Sequence, residues 1–451
     1  MRLTWAQPED LVAHELVQSQ SEGKDVSRVR ERWVAAGGDV TPLASGASQV
    51  RAARRLQRLA DELLDELDAM PAPTDPAQPD GWDDIVRVLG AVTASPPGPD
   101  LAARLAGAWT GRAAGCVLGK PVEKIPRQGI EEILRSTGRW PLDGYFTAVG
   151  LPPDVAARWP WNRRSAPNSL AENIAGAPED DDLNFPLLAL MLLERHGRDF
   201  TTDDVAQLWL DQLPAGRVFT AERAAYRNLL KAYPVPETAT RRNPFREWIG
   251  ALIRADVYGW TSPGQPLAAA ELAWRDARLS HTRNGLYGAM WAAALASAAM
   301  VADSVEAVLD TASGVVPPGS ALADAIDLGR RTGRRGGTLA DGLDELHARY
   351  DHLHWVHVLP NVATVAFALE HGAGRFGESV CAAVTAGWDT DSVGATVGGV
   401  VGALLGVEGI GEQWTGPIDG RIATSLPGGE QRIDALVART ARLADDGRGT
   451  R

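Results

Sequence analysis

From residue 101 onward, apolar side chains fall at three- and four-residue spacing in successive segments: 101–119, 183–196, 203–213, 219–231, 245–256, 267–279, 285–302, 303–312, 361–371, 376–386 and 392–405. That is the period of a helix with one face turned to a core, and no run of alternating β-branched residues competes with it, so the pattern predicts an all-α domain. Residues 11–36 and 47–70 repeat the helical period, the second with Leu56, Leu59, Leu63, Leu64 and Leu67 on one side. PAPTDPAQPDGWDD at 71–84 and SPPGPD at 95–100 then interrupt it with proline and aspartate, which favour turns over helix. The expected organisation is an N-terminal helical accessory region over 1–95, a main all-α domain over 96–437 and a flexible tail over 438–451.

Two of these segments carry a glycine every fourth residue: Gly107, Gly111, Gly115 and Gly119 in one, Gly394, Gly398, Gly402 and Gly406 in the other. Glycine inside a helix costs about 1 kcal/mol relative to alanine, so four in register need a packing reason. Each stripe follows an i±4 row and forms a shallow groove against which a neighbouring helix backbone can press. Both stripes are expected at the centre of the core. If they pair antiparallel, Glu123 meets Asp389 and Asp391.

Composition narrows the class. The chain has 451 residues, 45% hydrophobic and 23% charged, the balance of an ordinary folded protein whose length admits one large core with a smaller appendage. A formal charge of −13 argues against a general nucleic-acid or anionic-membrane surface. Cys116 and Cys381 are the only cysteines, too few for a disulfide framework or a cysteine-based zinc site. The N-terminus MRLTWAQPEDLVAHEL has no charged and then apolar leader, and no run of about 18 uninterrupted apolar residues follows. A cytoplasmic location without membrane contact is expected, with the oligomeric state open and a monomer favoured.

The strongest chemical signal is Glu179, Asp180, Asp181 and Asp182, four acids leading into the apolar LNFPLLALMLLE. One or two acids at a helix start are caps; four exceed that need, and adjacent carboxylates repel unless a cation lies between them. Asp389, Thr390, Asp391 and Ser392 repeat the design before the second glycine segment. Facing each other, the two clusters would supply oxygen ligands of the kind that hard ions such as Mg²⁺ and Mn²⁺ take.

At these residues the chain resembles the ADP-ribosylglycohydrolase family. GRAAGCVLGKPVE at 111–123, EDDD at 179–182, SHTRNG at 280–285 and AGWDTDS at 386–392 stand in family order and span roughly residues 100 to 425. The resemblance implies a compact, orthogonal multi-helix bundle with two divalent cations, most often Mg²⁺ and otherwise Mn²⁺. These hold the ribose of a small-molecule or protein-attached ADP-ribosyl substrate and assist cleavage of its anomeric bond. Carried over by position, it implies Glu179, Asp180, Asp181, Asp389, Asp391 and Ser392 as metal ligands, and Glu123, Asp180 and Asp391 as catalytic. Glu123, His281, Asn284, Gly285, Arg254 and Asn361 are the implied substrate contacts. Glu179 and Asp182 stand where the family commonly has Thr, as does Ser392. Where several branches carry a Gly/Asn-rich loop ending in Ala-Met-Arg, this chain has REWIGALIRADVYGW at 246–260, in which Gly250 and Arg254 are the candidate stand-ins.

Other signals carry bland alternatives. His281 can be a cap or core histidine, and Arg254 can form a structural pair with Asp256. His347, His352, His354 and His357 lie close in sequence without a recognised zinc spacing. GCVLGKP lacks the phosphate-loop spacing, and no GxSxG elbow is present. A nucleic-acid-directed hydrolase would need a basic path, for which Arg163, Arg164 and the run Arg330, Arg331, Arg334 and Arg335 are the candidates. The expected function is metal-dependent hydrolysis of an N- or O-glycosidic bond of ADP-ribose. The alternatives are hydrolysis of a smaller ribosyl N-glycoside and a non-catalytic binding or structural role.

Overall fold

Helices Leu101–Gly119 and Thr390–Ile410 lie antiparallel with their glycine stripes in contact. A Cβ placed on Gly107, Gly111, Gly115 or Gly119 would overlap the carbonyl oxygen of Gly402, Gly398, Gly394 or Thr390 respectively. One close approach per turn therefore locks the register, which is the packing reason the stripes required. Gly406, at φ 67°, leaves helical geometry and closes the packed stretch. Thr390–Ile410 is long and apolar enough to cross a bilayer, yet 67% of its apolar window is buried inside the protein, as befits a core helix.

The computed structural model describes residues 2–96, 98, 100–162 and 165–446, and the architecture of these residues is all-α with one short hairpin pairing Arg421 with Arg432. Helices Phe376–Thr385, Val358–Gly372 and Arg283–Ala299 pack on Thr390–Ile410, while Ile433–Asp446 packs on Leu101–Gly119. The boundary expected at 437 falls inside this last helix, whose Leu436, Thr440 and Ala444 are buried and whose Thr440 hydroxyl receives the Trp109 indole at 3.1 Å. Up to Asp446, the stretch expected to be a loose tail is thus a packed helix.

The segment 245–256, expected as a helix, instead holds an isolated bridge between Trp248 and His357 and a 3-10 stretch Ile249–Arg254. It is buried on every side, its charged Arg246, Glu247, Arg254 and Asp256 included, and a short buried run does not reveal its period.

Helices Pro8–Ser21, Ser27–Ala35 and Arg54–Ala69 build the N-terminal region, and their apolar faces belong to the same continuous core as the rest of the chain. The seam is polar and well paired. Arg246 is held between Glu15 and Glu22, with contacts of 2.6–3.0 Å, Gln18 donates to Glu247 at 2.7 Å, and Arg242 pairs with Asp61 and Asp65. Beside it Trp5, His14, Phe245, Trp248 and His354 form an aromatic cluster with ring centroids 4.3–5.8 Å apart.

Gly111→Ala is expected to lower stability by about 3 kcal/mol, because the added methyl meets backbone that cannot yield. Gly399→Ala is the control: its Cβ would find contacts no nearer than 3.7 Å, and alanine is the better helix former. Equal melting temperatures for the two variants would contradict the packing role.

Burial pushes the His14 imidazole down to about 3 and that of His354 to about 4, and in each case a neighbouring histidine, His354 or His357, adds to the effect. Both are neutral when folded, whereas the unfolded chain takes up protons below about pH 6.5. Their contribution is full above that pH and is lost as pH falls towards the folded values, by about 2 kcal/mol each at pH 5. His14→Phe should therefore flatten the dependence of the urea midpoint on pH between 7 and 5; an unchanged slope would refute this.

Candidate functional site

The glycine pair sets two helix starts opposite one another. On one side Ala177 bridges to the hairpin, donating to the Arg421 carbonyl and accepting from Ala423 N, each at 2.8 Å. This fixes the chain just before the four acids. Asp180 then caps helix Asp181–His196, its carboxylate accepting from the Asp182 amide at 3.0 Å. On the other side Asn361 accepts from the Asp389 amide at 3.1 Å and donates at 2.8 Å to the Trp355 and His357 carbonyls. Trp388 stacks on His347 at 4.1 Å, and Thr390 donates to the Gly119 carbonyl at 2.8 Å. The Ser392 hydroxyl reaches Asp182 at 3.2 Å, joining the two motifs directly. Glu123 follows the end of the first glycine helix, where Asn162 donates to it at 2.5 Å and Lys124 pairs with it at 3.1 Å.

The charges behave as a crowded set. Burial, Asp180, Asp391 and Glu123 push the Asp181 carboxyl well above its ordinary value. Burial with Asp391 and Glu123 does the same to Asp389. Asp391 is raised to about 7 by burial, Glu123 and Asp180. Asp182 is raised well above the usual range by burial, Asp180 and Asp391. Asp180 goes the other way: burial would raise it, but the Lys120 ammonium, bonded to it, holds it down. In all four raised carboxyls burial is the largest cause, and the neighbouring carboxylates add to it. Among the described residues Asp181, Asp389 and Asp391 have no ion-pair partner.

The cluster thus gathers Glu123, Asp180, Asp181, Asp389, Asp391 and Ser392, and Asn361 supports it by holding the Asp389 backbone. Glu179 departs from it. Its carboxylate accepts from Asn184 at 3.0 Å and from Ser425, pairs with Arg217 at 2.9 Å, and is held below its usual range by these donors despite burial.

The remaining substrate candidates lie elsewhere. Arg254, 1% exposed, is enclosed by Glu222 and Asp276 and by the rings of Phe185 and Trp209. The Glu222 carboxylate lies against Gly250, where a Cβ would overlap it. The pairing of Arg254 with Asp256 does not form, because Asp256 bonds Arg112. His281 is buried beside Ser280, and burial and Arg254 keep it neutral. Asn284 holds Glu247 at 2.7 Å, Gln78 at 2.8 Å and the Leu322 amide at 2.9 Å, and Gly285 has the Arg246 carbonyl where its Cβ would be. SHTRNG borders a groove of about 910 Å³ that also takes in Glu22, Asp68 and Asp80 of the N-terminal region, and not the acidic cluster.

Of the other signals, His347 bonds Asp351 and the Ala386 carbonyl, His354 meets Leu43 O, and His357 caps Leu359, so these three do not converge on a metal. The run offered as a basic path ends helix Ala321–Arg334, with Arg330 and Arg334 on Glu370, Arg331 on Asp327 and Arg335 on Glu345. Arg163 and Arg164 lie outside the described residues. Sequence reasoning missed three members. Arg112 donates to the Asp182 carbonyl at 2.9 Å, Lys120 to the Glu179 carbonyl at 2.6 Å, and Cys116 joins Asp180 and Asp182 in a group whose ligand atoms lie within 4.8 Å of one another. All three lie within GRAAGCVLGKPVE at 111–123, which carried the family resemblance without assigning them a role.

The sequence profile of the ADP-ribosylglycohydrolase family matches residues 97–449. The chain belongs to that family. Activity on ADP-ribosyl compounds as a glycohydrolase is what ADP-ribosylglycohydrolases have in common. A solved structure described as an ADP-ribosylglycohydrolase-related protein complex is similar at 21% identity, with 76% of this chain and 99% of that chain covered and a TM-score of 0.47. No curated protein sequence matches.

Arg254→Met leaves Glu222 and Asp276 buried without a cation and is expected to lower stability by about 3 kcal/mol or more. Urea unfolding of the variant measures this; a variant of full stability with altered ligand affinity would place Arg254 in the substrate site instead.

Proposed function

We propose that the chain is a metal-assisted glycohydrolase that releases an ADP-ribosyl group from its acceptor, with the facing acidic motifs as its centre. The observation carrying this reading is that two carboxylate-bearing helix starts, from segments more than 200 residues apart, meet around Asp181, Asp389 and Asp391, which have no cationic partner among the described residues. A structural cap would need one such acid at each helix; this arrangement needs a cation. Asp181, Asp389 and Asp391 would hold a divalent ion, Mg²⁺ or Mn²⁺, with Asp180 and Ser392 beside them. When bound, such an ion supplies Lewis-acid polarisation and fixes the ribose hydroxyls.

Glu123 stands at the outer edge, partly exposed and oriented by Asn162. It is placed to take a proton from the attacking water. The water oxygen bonds the anomeric carbon, the glycosidic bond breaks with its electron pair going to the acceptor atom, and that atom takes up a proton. Asn361 keeps the Asp389 start in place through its backbone amide.

A smaller ribosyl N-glycoside is the second reading, favoured by one observation: Gly250 and Arg254, the stand-ins for a diphosphate-wrapping loop, are buried in core.

Asp391→Asn should lower turnover of an ADP-ribosylated acceptor about a thousandfold or more with an unchanged circular dichroism spectrum. Chelation should have the same effect, reversed by Mg²⁺ or Mn²⁺. Calorimetric titration of ADP-ribose into the metal-loaded protein, with Asp391→Ala as control, separates the readings. Binding lost in the variant supports ADP-ribose; absence of binding directs the search to smaller ribosides, and metal-independent turnover would refute the mechanism.

A further inference from the structure

We infer that Lys120 is a built-in cation standing where a second metal ion would sit, so that the centre of this chain takes one divalent ion. The inference rests on the reading that the facing acidic motifs bind a divalent ion. It concerns how many such ions this chain accommodates, and it departs from the pair that the family resemblance implies.

Lys120 follows the last glycine of helix Leu101–Gly119, and its side chain is 7% exposed. Its ammonium donates to the Glu179 carbonyl at 2.6 Å and to the Asp180 carboxylate. A lysine leaves water this completely only where carboxylate and carbonyl oxygens replace its hydration. The ammonium is thus committed to the acidic centre from below, and Asp180 is committed to it.

The rest of the donor set divides along the same line. Cys116, Asp180 and Asp182 lie close enough to hold an ion, but a cation of the chain already stands beside each of the two carboxylates. Asp180 has Lys120; Asp182 has Arg112 at 3.6 Å from its buried Oδ1, which no hydrogen-bond donor reaches, and the Ser392 hydroxyl on its other oxygen. Glu179 is taken by Arg217, Asn184 and Ser425. A dication placed on that side would share Asp180 with an ammonium, and like charges that close together repel.

Among the described residues Asp181, Asp389 and Asp391 have no ion-pair partner, with Asp389 only 7% exposed and Asp391 only 5%. Glu123 stands at their edge. Three carboxylates leave room for water or ribose oxygens around one octahedral ion. Lys120 balances charge and orients Asp180, but an ammonium has only donors and no open coordination position. The two halves of the centre therefore differ in kind: one is an open metal position and the other a fixed positive charge.

The test is the Mn²⁺ stoichiometry of the full chain, measured by equilibrium binding and electron paramagnetic resonance, with anomalous scattering from crystals grown in Mn²⁺. The expected result is one ion per chain with an uncoupled signal, and one anomalous peak against Asp389 and Asp391 with none at Lys120 Nζ. Lys120→Met should admit a second ion and produce an exchange-coupled signal, whereas Lys120→Arg should remain at one. Two ions on the unaltered chain overturn the inference but not the metal reading, and no ion overturns both. A folded Lys120→Met that still takes one ion overturns the role given to the lysine. If that variant does not fold, the stoichiometry and the anomalous map of the unaltered chain decide.

Discussion

Everything at the acidic centre depends on two helix backbones approaching more closely than any side chain would allow. The glycine stripes remove one Cβ per turn from the contact between Leu101–Gly119 and Thr390–Ile410, so carbonyl oxygens of one helix sit where the other would carry methyl groups. Such a contact resists a slip of one residue, which would bring a Cβ into backbone. That rigidity is transmitted to the helix ends. Thr390 bonds the Gly119 carbonyl at the last contact, and immediately beyond it stand Lys120 and Glu123 on one segment of chain and Asp389 and Asp391 on the other. Helix propensity is sacrificed along the stripes so that charged groups from distant parts of the sequence share a small volume.

Those charged groups are sorted by the cations that come with the fold. Arg112 lies on the first glycine helix itself, next to Gly111, and is fully buried between Asp182, Asp256 and the Ile253 carbonyl. Lys120 ends the same helix and takes Asp180. A single helix thus delivers both the close approach and the two positive charges that stabilise the inner carboxylates. Burial and the neighbouring carboxylates nonetheless leave Asp181, Asp182 and Asp389 with raised proton affinity.

The fold was legible in the sequence wherever a long segment had one apolar face. The segment 101–119 is a helix at those residues, and 376–386 and 203–213 lie within a residue or so of helices Phe376–Thr385 and Thr202–Gln212. The antiparallel pairing of the stripes was also legible, because four glycines in register have few other uses. What could not be read was the destination of polar side chains. Arg254, His281 and Asn284 look exposed and reactive in a string of letters. Their partners Glu222, Ser280 and Glu247 make them internal fixtures, and Glu222 and Glu247 lie far enough away in sequence that no local pattern announces them. The segment 245–256 failed for a related reason: with neighbours on all sides it has no polar face, and without one periodicity carries no information.

The N-terminal region shows how far this internal pairing reaches towards the site. The Trp355 indole donates to the Ala44 carbonyl at 3.0 Å, and His354 meets the Leu43 carbonyl at 3.3 Å, so the stretch around residues 43 and 44 lies against the segment that also carries Asn361. The Lys124 ammonium stands 5.7 Å from the Trp355 ring centroid and pairs with Glu123 at 3.1 Å. The partly exposed edge of the acidic centre is therefore connected, through one indole, to a region that the proline-rich stretches separate in sequence. Lys124 and, through it, Trp355 are the neighbours of Glu123 at that edge, and the position of that indole is fixed by a carbonyl from the N-terminal region. What looked like an appendage in the pattern of prolines is, in packing terms, part of the frame around the site.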